Sequence, residues 1–407
     1  PDCRDQYPDL EERFFALVRK YDEEPVTLQL RDPDTGKKYD TYMDGAALRS
    51  VLFQMLYVSR MSAVMPKIVA DLEQGDTRYI ENMWPLLVFD QLVSEGMYYS
   101  VICAEDADID PADIPVDSLR PEIAATARDE VQSYLDTCAR WKVDALPPSV
   151  DDPVISDIPT LLLSGRFDPV TPPAFAAAVA AGLPNGTALV DPTASHGVAF
   201  MTPCANEVVE AFLDDPLNPP DGACFDAQKP LKAVPPDAIT MPLLAGINSL
   251  DTRTLTAFVI AGILLVMVLS PFLLWPMVYF VRAFGDGQPS RSSGDRRTRW
   301  ISRIAVLLFG VLAVTFAVGL IGFIVSIVAT DQTMLTALAL PSSAAPVLWL
   351  PILMLVLAIV MIVAGVMLWR RPGTGTTAGK VYYSIIVVVA IALLGVIGSQ
   401  GLLLPPL

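Results

Sequence analysis

Residues 158–168 read IPTLLLSGRFD, an apolar run opened by Pro159, closed by Gly165 and followed by the proline-rich turn PVTPP. So short a run, bounded by proline and glycine, predicts a buried strand rather than a helix. A second run, TALVDPT at 187–193, follows after a helical pattern at 173–182. A third, YYSVICAED at 98–106, precedes a helical pattern at 121–141. Apolar runs alternating with helices predict an α/β layer whose parallel strands are buried on both faces. In such sheets, ligands and chemistry gather at the carboxyl ends of the strands.

Upstream, the texture is helical. PDLEERFFALVRKY, residues 8–21, puts Leu10, Phe14, Leu17, Val18 and Tyr21 on one helical face. Alternation at Val26, Leu28 and Leu30, with a turn through Asp32, Pro33, Asp34 and Gly36, predicts a hairpin. Helical patterns follow at 46–73 and 81–94.

Downstream, residues 214–253 hold seven prolines and no clear period, as a last turn and a linker would. Beyond them come four stretches nearly free of charge, at about 255–281, 304–329, 346–369 and 381–404. Each is long enough to cross a hydrocarbon layer of about 30 Å as a helix. Residues 1–253 carry 19 basic and 42 acidic side chains and residues 254–407 carry 9 and 3, so the net charge of −17 divides into −23 and +6. An acidic domain beside a weakly basic membrane region is poorly suited to nucleic acid, which needs clustered cations; the partner of the apolar region is the lipid bilayer.

The loop after the first stretch holds Arg282, Arg291, Arg296, Arg297, Arg299 and Arg303, and the loop after the third holds Arg370, Arg371 and Lys380. The loop between the second and third has only Asp331. By the positive-inside rule, the first and third loops are cytoplasmic and the amino-terminal domain faces outside. Within the spans, Ser270, Thr315 and Ser326 are ordinary helix-contact groups, and no charged side chain sits mid-membrane, as an ion-coupled transporter would need. Pro271 and Pro276 are expected to kink the first span.

All five cysteines, Cys3, Cys103, Cys138, Cys204 and Cys224, precede the spans. With no Cys-x-x-Cys and a single histidine, neither a zinc site nor any cofactor is expected, and disulfides in an oxidising compartment fit better. Of the three pairings open to the last four cysteines, Cys103 with Cys138 and Cys204 with Cys224 each bracket one local segment. The odd count, the absence of an initial methionine and the lack of an export signal lead us to expect a piece of a longer chain, with Cys3 pairing to a cysteine before Pro1.

The chemistry centres on Asp168, just past the first apolar run, and on His196, 28 residues later in DPTASHGVAF. A carboxylate after one strand and a histidine after the next project at one sheet edge. That is the acid and base order of an α/β-hydrolase triad, in which serine comes first. The acid holds the imidazole tautomer while the imidazole takes the proton of the serine. No Gly-x-Ser-x-Gly elbow occurs in the 407 residues. Ser195 is adjacent to the histidine, Ser164 lies on the strand and Ser399 lies in a span, so none of them substitutes.

The stretches CRDQYPDLEERFFALV, YYSVICAED, CARW, PTLLLSGRFDPVTPP, SHG and CANEVVEAFLDDPLNPPDGAC resemble the tripeptidyl-aminopeptidase and proline-iminopeptidase branch of the α/β hydrolases, over roughly residues 1–225 with a TAP-like carboxyl-terminal domain. The resemblance implies that Asp168 is the acid of the GxxDPVTP-type turn and His196 the base of the GHG-type turn, with Ser195 where the family often has glycine. It also implies a helical lid at 1–97 and the carboxyl-terminal half of the hydrolase core at 98–225; composition adds a proline-rich linker at 226–253 and the four-span membrane region at 254–407. The expected fold class is therefore α/β, a partial α/β-hydrolase followed by an all-α membrane region.

Aminopeptidases need a carboxylate for the substrate's amine. Glu105 and Asp106, at the end of an expected strand, are candidates, as are the lid acids Glu73 and Glu81. The expected function is a serine hydrolase of a bacterial cell membrane, outward-facing, removing residues or short peptides from peptide amino termini. This chain alone, without the nucleophile, is expected to be inactive. The alternatives are a non-catalytic receptor or scaffold with a degenerate hydrolase domain, and an esterase or lipase with the same triad.

Overall fold

The structure is a computed structural model that describes residues 3–32, 35–89, 94–199, 201–241, 243–244, 247, 252–284, 296–330, 334 and 336–404, without the side chains of Arg282 and Thr330. Pro33, Asp34, Arg291 and Asp331, all named above, lie outside these residues. The chain divides into two units, residues 1–236 and 237–407.

After a single helical turn at Cys3–Gln6, the first unit has α1, Leu10–Glu23, whose first-turn Glu11 and Glu12 complement the helix dipole. Its buried face is Phe15, Leu17, Val18 and Tyr21. Phe14, expected inward, is only half-buried and meets Phe15 edge-on, while the Arg120 guanidinium covers the Phe15 ring at 4.3 Å. The expected hairpin is present: β1, Val26–Arg31, pairs antiparallel with β2, Lys38–Met43, from Val26 opposite Met43 to Arg31 opposite Lys38. Leu28, Leu30 and Met43 point into the core.

Three helices follow: α2, Gly45–Met55, capped by the Asp44 side chain; α3, Met61–Glu73; and α4, Arg78–Val88. Tyr21, Leu28, Leu48, Met61, Ile68, Leu72 and Ile80 are almost wholly enclosed. Each such side chain contributes about 1.5–3 kcal/mol on leaving water, so this helical segment carries a core of its own. Lys67 and Asp71 are buried together one helical turn apart on α3.

The apolar run at 98–106 is not a strand. It lies in α5, Glu95–Glu105, capped by the Ser94 hydroxyl, which accepts from the Met97 N–H at 3.4 Å. Period alone does not separate a short strand from a helix. Here the cap decides, together with the Cys103–Cys138 disulfide and the 3.0 Å bond from Trp141 Nε1 to Ser100 Oγ, which lay the run against another helix. That helix is α6, Pro121–Trp141, with proline at its first position and its end at Lys142, whose φ is 56°. Surface ion pairs of Arg19 with Glu122 and of Arg120 with Glu11 and Glu12 join α1 to the start of α6.

Next, β3, Thr160–Gly165, and β4, Gly186–Asp191, pair in parallel, Thr160 opposite Gly186 and Gly165 opposite Asp191, joined through α7, Pro173–Ala180. They are not buried on both faces as expected: β3 is enclosed only at Ser164 and Gly165, and β4 only at Asp191. Among the described residues this sheet has two strands, so neither face is fully covered. Burial concentrates at the carboxyl ends. There Leu161, Leu163 and Leu189 pack on Ala194, Val198, Ala205, Val208 and Phe225 of the following loop and of the helices α8, Pro203–Asp214, and α9, Ala223–Asp226. The Cys204–Cys224 disulfide joins α8 to α9, so both expected disulfides are present. Within the stretch expected as linker, Val234 is buried in this unit: its carbonyl accepts from the Tyr7 hydroxyl and its N–H donates to the Ala63 carbonyl.

The second unit has four long apolar helices: α10, Thr252–Phe284; α11, Arg296–Thr330; α12, Leu350–Arg370; and α13, Thr377–Ser399. By length and composition each is a candidate membrane span. The shortest has 21 residues, about 31 Å of helix. α10 continues as one helix through Pro271 and Pro276. The Arg371 guanidinium donates to Thr298 Oγ1 at 3.2 Å, so the basic residues that start α11 and those that end α12 lie at the same end of the unit. The opposite end is tied by β5, Ile239–Thr240, antiparallel to β6, Ala339–Leu340.

Candidate active site

The turns after β3 and β4 are laced together by their backbones. Arg166 N–H donates to the Asp191 carbonyl at 3.0 Å and Phe167 N–H to the Ala194 carbonyl at 3.1 Å. The lacing requires glycine at 165, because a Cβ there would stand 2.0 Å from the Ser195 carbonyl oxygen and 2.6 Å from that of Ala194. Asp168 and His196, 28 residues apart in sequence, meet as a result.

The Asp168 carboxylate accepts from the N–H groups of Val170 at 2.8 Å and Thr171 at 2.9 Å, and from the Thr171 hydroxyl at 2.8 Å. Its two oxygens each lie 3.1 Å from His196 Nδ1. The aspartate side chain is 3% exposed and the imidazole 34%. Burial works against the charge of Asp168, but the N–H groups of Thr171 and Val170, the Thr171 hydroxyl and His196 outweigh it and hold the carboxyl below its ordinary range. An ionised carboxylate only accepts, so Nδ1 is the ring nitrogen that donates to it and Nε2 is left to face other groups. The pair can take a proton at Nε2 and stabilise the resulting imidazolium through Asp168.

Two neighbours fix the histidine's backbone. Gly197, next in sequence, has φ of 74°, a conformation glycine adopts freely. Ser195 is buried: its hydroxyl lies between the carbonyls of Leu56 and Phe167, and its N–H donates to Ser59 Oγ at 3.2 Å. The turn after α2 is thereby tied to the histidine loop. From the same turn, Tyr57 meets the imidazole edge-on, with ring centroids 5.1 Å apart. Burial, the charge of Asp168 and Tyr134 push the Tyr57 hydroxyl above its ordinary pKa. Burial and a hydrogen bond with Tyr134 do the same to Tyr98 on α5.

Glu105 and Asp106 end α5 and are exposed. Glu105 lies about 10 Å along the helix from Tyr98, and neither acid contacts Asp168 or His196 among the described residues. Glu73 is ion-paired with Arg13, and Glu81 accepts from the Gln29 N–H at 3.3 Å. Sequence reasoning missed Thr171, Tyr57 and Asp191 and noted Ser195 only as standing where the resembled family often has glycine. The signal for Thr171 was present in DPVT, an aspartate followed three residues on by a threonine that bonds back to it.

Residues 124–224, about a quarter of the chain, match the family model described as TAP-like protein. The match contains β3, β4, Asp168, His196 and the Cys204–Cys224 disulfide. No curated protein and no solved structure matches the chain.

Proposed function

With a TAP-like α/β-hydrolase domain at residues 124–224 as the premise, we propose that this chain supplies the acid and base of a membrane-anchored serine hydrolase that removes residues or short peptides from peptide amino termini. The observation that carries the reading is the 3.1 Å contact of His196 Nδ1 with both oxygens of Asp168, at the carboxyl ends of two parallel strands. In the proposed step, Nε2 takes the proton of a serine hydroxyl as its oxygen attacks the substrate carbonyl, and later returns a proton to the leaving amine. Since no Gly-x-Ser-x-Gly elbow occurs in these residues, the serine comes from polypeptide outside them. The site domain faces the extracytoplasmic side, in keeping with its two disulfides and with the basic residues gathered at one end of the apolar helices.

The test is a fluorophosphonate probe, which marks activated serines, applied to membranes of cells that make the tagged protein from its complete coding sequence. A labelled serine in the species that carries the tag, lost in His196→Ala, is expected. Labelling that persists in His196→Ala, or none in the folded wild type, would sink the reading. Cleavage of aminoacyl anilides in preference to short-chain nitrophenyl esters then separates a peptidase from an esterase.

A further inference from the structure

We propose that Asp191, outside the acid–base pair, is a positioning residue for the His196 imidazole; this rests on the reading of His196 as a base. Asp191 closes β4 and is 0% exposed. Its carboxyl group has no cationic partner among the described residues, and desolvating such a group is costly unless donors surround it. Every donor it has comes from the histidine loop or from the segment that closes over it.

Oδ1 accepts from the N–H of Thr193 at 2.8 Å and from its hydroxyl at 2.9 Å. Oδ2 accepts from the Thr202 hydroxyl at 3.2 Å and from Gln228 Nε2 at 3.3 Å. Thr193 precedes His196 and Thr202 follows it, so one carboxyl group grips both ends of the loop that carries the base. Thr202 Oγ1 also caps α8, accepting from the Ala205 N–H at 3.1 Å. Gln228 lies just beyond α9, which Cys224 crosslinks to α8. The Asp191 backbone carbonyl receives the Arg166 N–H and so ties the same residue to the turn that carries Asp168. Acid and base are thus referred to one buried group. The contact it supports is sensitive to small displacements, because Nδ1 is held between two oxygens at the same 3.1 Å.

Asp191→Asn keeps the size of the side chain but replaces an acceptor with an amide that opposes donors already in place. The single histidine makes the consequence readable. In the 407-residue chain in detergent, labelled with 15N-histidine, the ring nitrogen spectrum comes from His196 alone. The wild type is expected to show one tautomer, Nδ1 protonated and Nε2 bare. In Asp191→Asn, and to a smaller degree in Thr193→Val, the two nitrogen signals are expected to move toward each other as that tautomer loses its hold. A wild-type pattern in an Asp191→Asn protein that keeps both disulfides and a cooperative melting transition would overturn the proposal. Should Asp191→Asn not fold, Thr193→Val decides in the same way, a shift supporting the role and a wild-type pattern removing it. Asp168→Asn separates the two levels of argument. If that variant leaves the pattern unchanged, the acid–base reading itself fails; if it changes the pattern while Asp191→Asn does not, only the positioning role is lost.

Discussion

A side chain on Gly165 would collide with the carbonyl oxygen of Ser195, 2.0 Å from the position of its Cβ. The atom in the way belongs to the backbone next to His196, and backbone cannot step aside as a flexible side chain can. Gly165→Ala is therefore expected to destabilise residues 1–236 by about 1–3 kcal/mol, the usual cost of overpacking. Urea unfolding followed by tryptophan fluorescence measures it. An unchanged midpoint would mean that the two turns are not laced as described.

Asp168 makes stability depend on acid. Burial favours its neutral form, but the hydrogen bonds from Thr171, Val170 and His196 prevail and lower its native pKa below the ordinary value of about 3.9. The bound carboxylate thus stabilises the fold fully above the ordinary carboxylate range, and that contribution disappears as pH falls through the native pKa. Melting temperatures between pH 6 and pH 3 should drop more steeply for the wild type than for Asp168→Asn. Asp76 should keep some slope in the variant: burial opposes its charge, but the hydrogen bonds from Arg78 prevail and lower its pKa too.

Ser195→Gly removes a hydroxyl that lies between the carbonyls of Leu56 and Phe167. Leaving these acceptors without that donor is expected to cost about 1–3 kcal/mol. Because the lost bonds join the turn after α2 to the histidine loop, limited proteolysis should cut more readily near Leu56 in the variant. A variant as stable and as protected as the wild type would mean that the Ser195 hydroxyl does not tie the two segments together.

On the proposed reading, with the serine supplied, Asp168→Asn is expected to lower kcat by about 10⁴-fold, because an amide no longer fixes the Nδ1–H tautomer. Steady-state cleavage of an aminoacyl anilide measures the loss. A decrease below tenfold would remove Asp168 from the mechanism.

The four apolar helices predict a labelling pattern. Thr377→Cys lies at the basic end of the second unit and Ser342→Cys follows β6 at the other. A membrane-impermeant maleimide should reach Ser342→Cys in intact cells and Thr377→Cys only after permeabilisation. The reverse pattern would place the site domain in the cytoplasm.

What the sequence made legible was whatever its local chemistry over-determined. IPTLLLSG and TALVD became parallel strands because each is short, apolar and closed by turn residues. Pro121 and Pro173 open helices because proline suits a first turn. The meeting of Asp168 with His196 was readable because their spacing matches one strand-helix-strand step. YYSVICAED was misread because its period is ambiguous, and the crosslink that settles it lies 35 residues away. Tyr57 was invisible because its contact with His196 depends on a segment far along the chain. Asp191 carries one local signal, the Thr193 that bonds back to it in DPT, but its contacts with Thr202 and Gln228 depend on later segments.

The Cys103–Cys138 crosslink holds α5 against α6, and Cys204–Cys224 holds α8 against the turn that leads to Gln228. Neither bond persists in a reducing cytoplasm. With the first unit on the extracytoplasmic side, as proposed, the elements around His196 acquire their finished form only after crossing the membrane. Export would then set the timetable of maturation, and the proposed base would be kept from the peptides of the compartment that makes it.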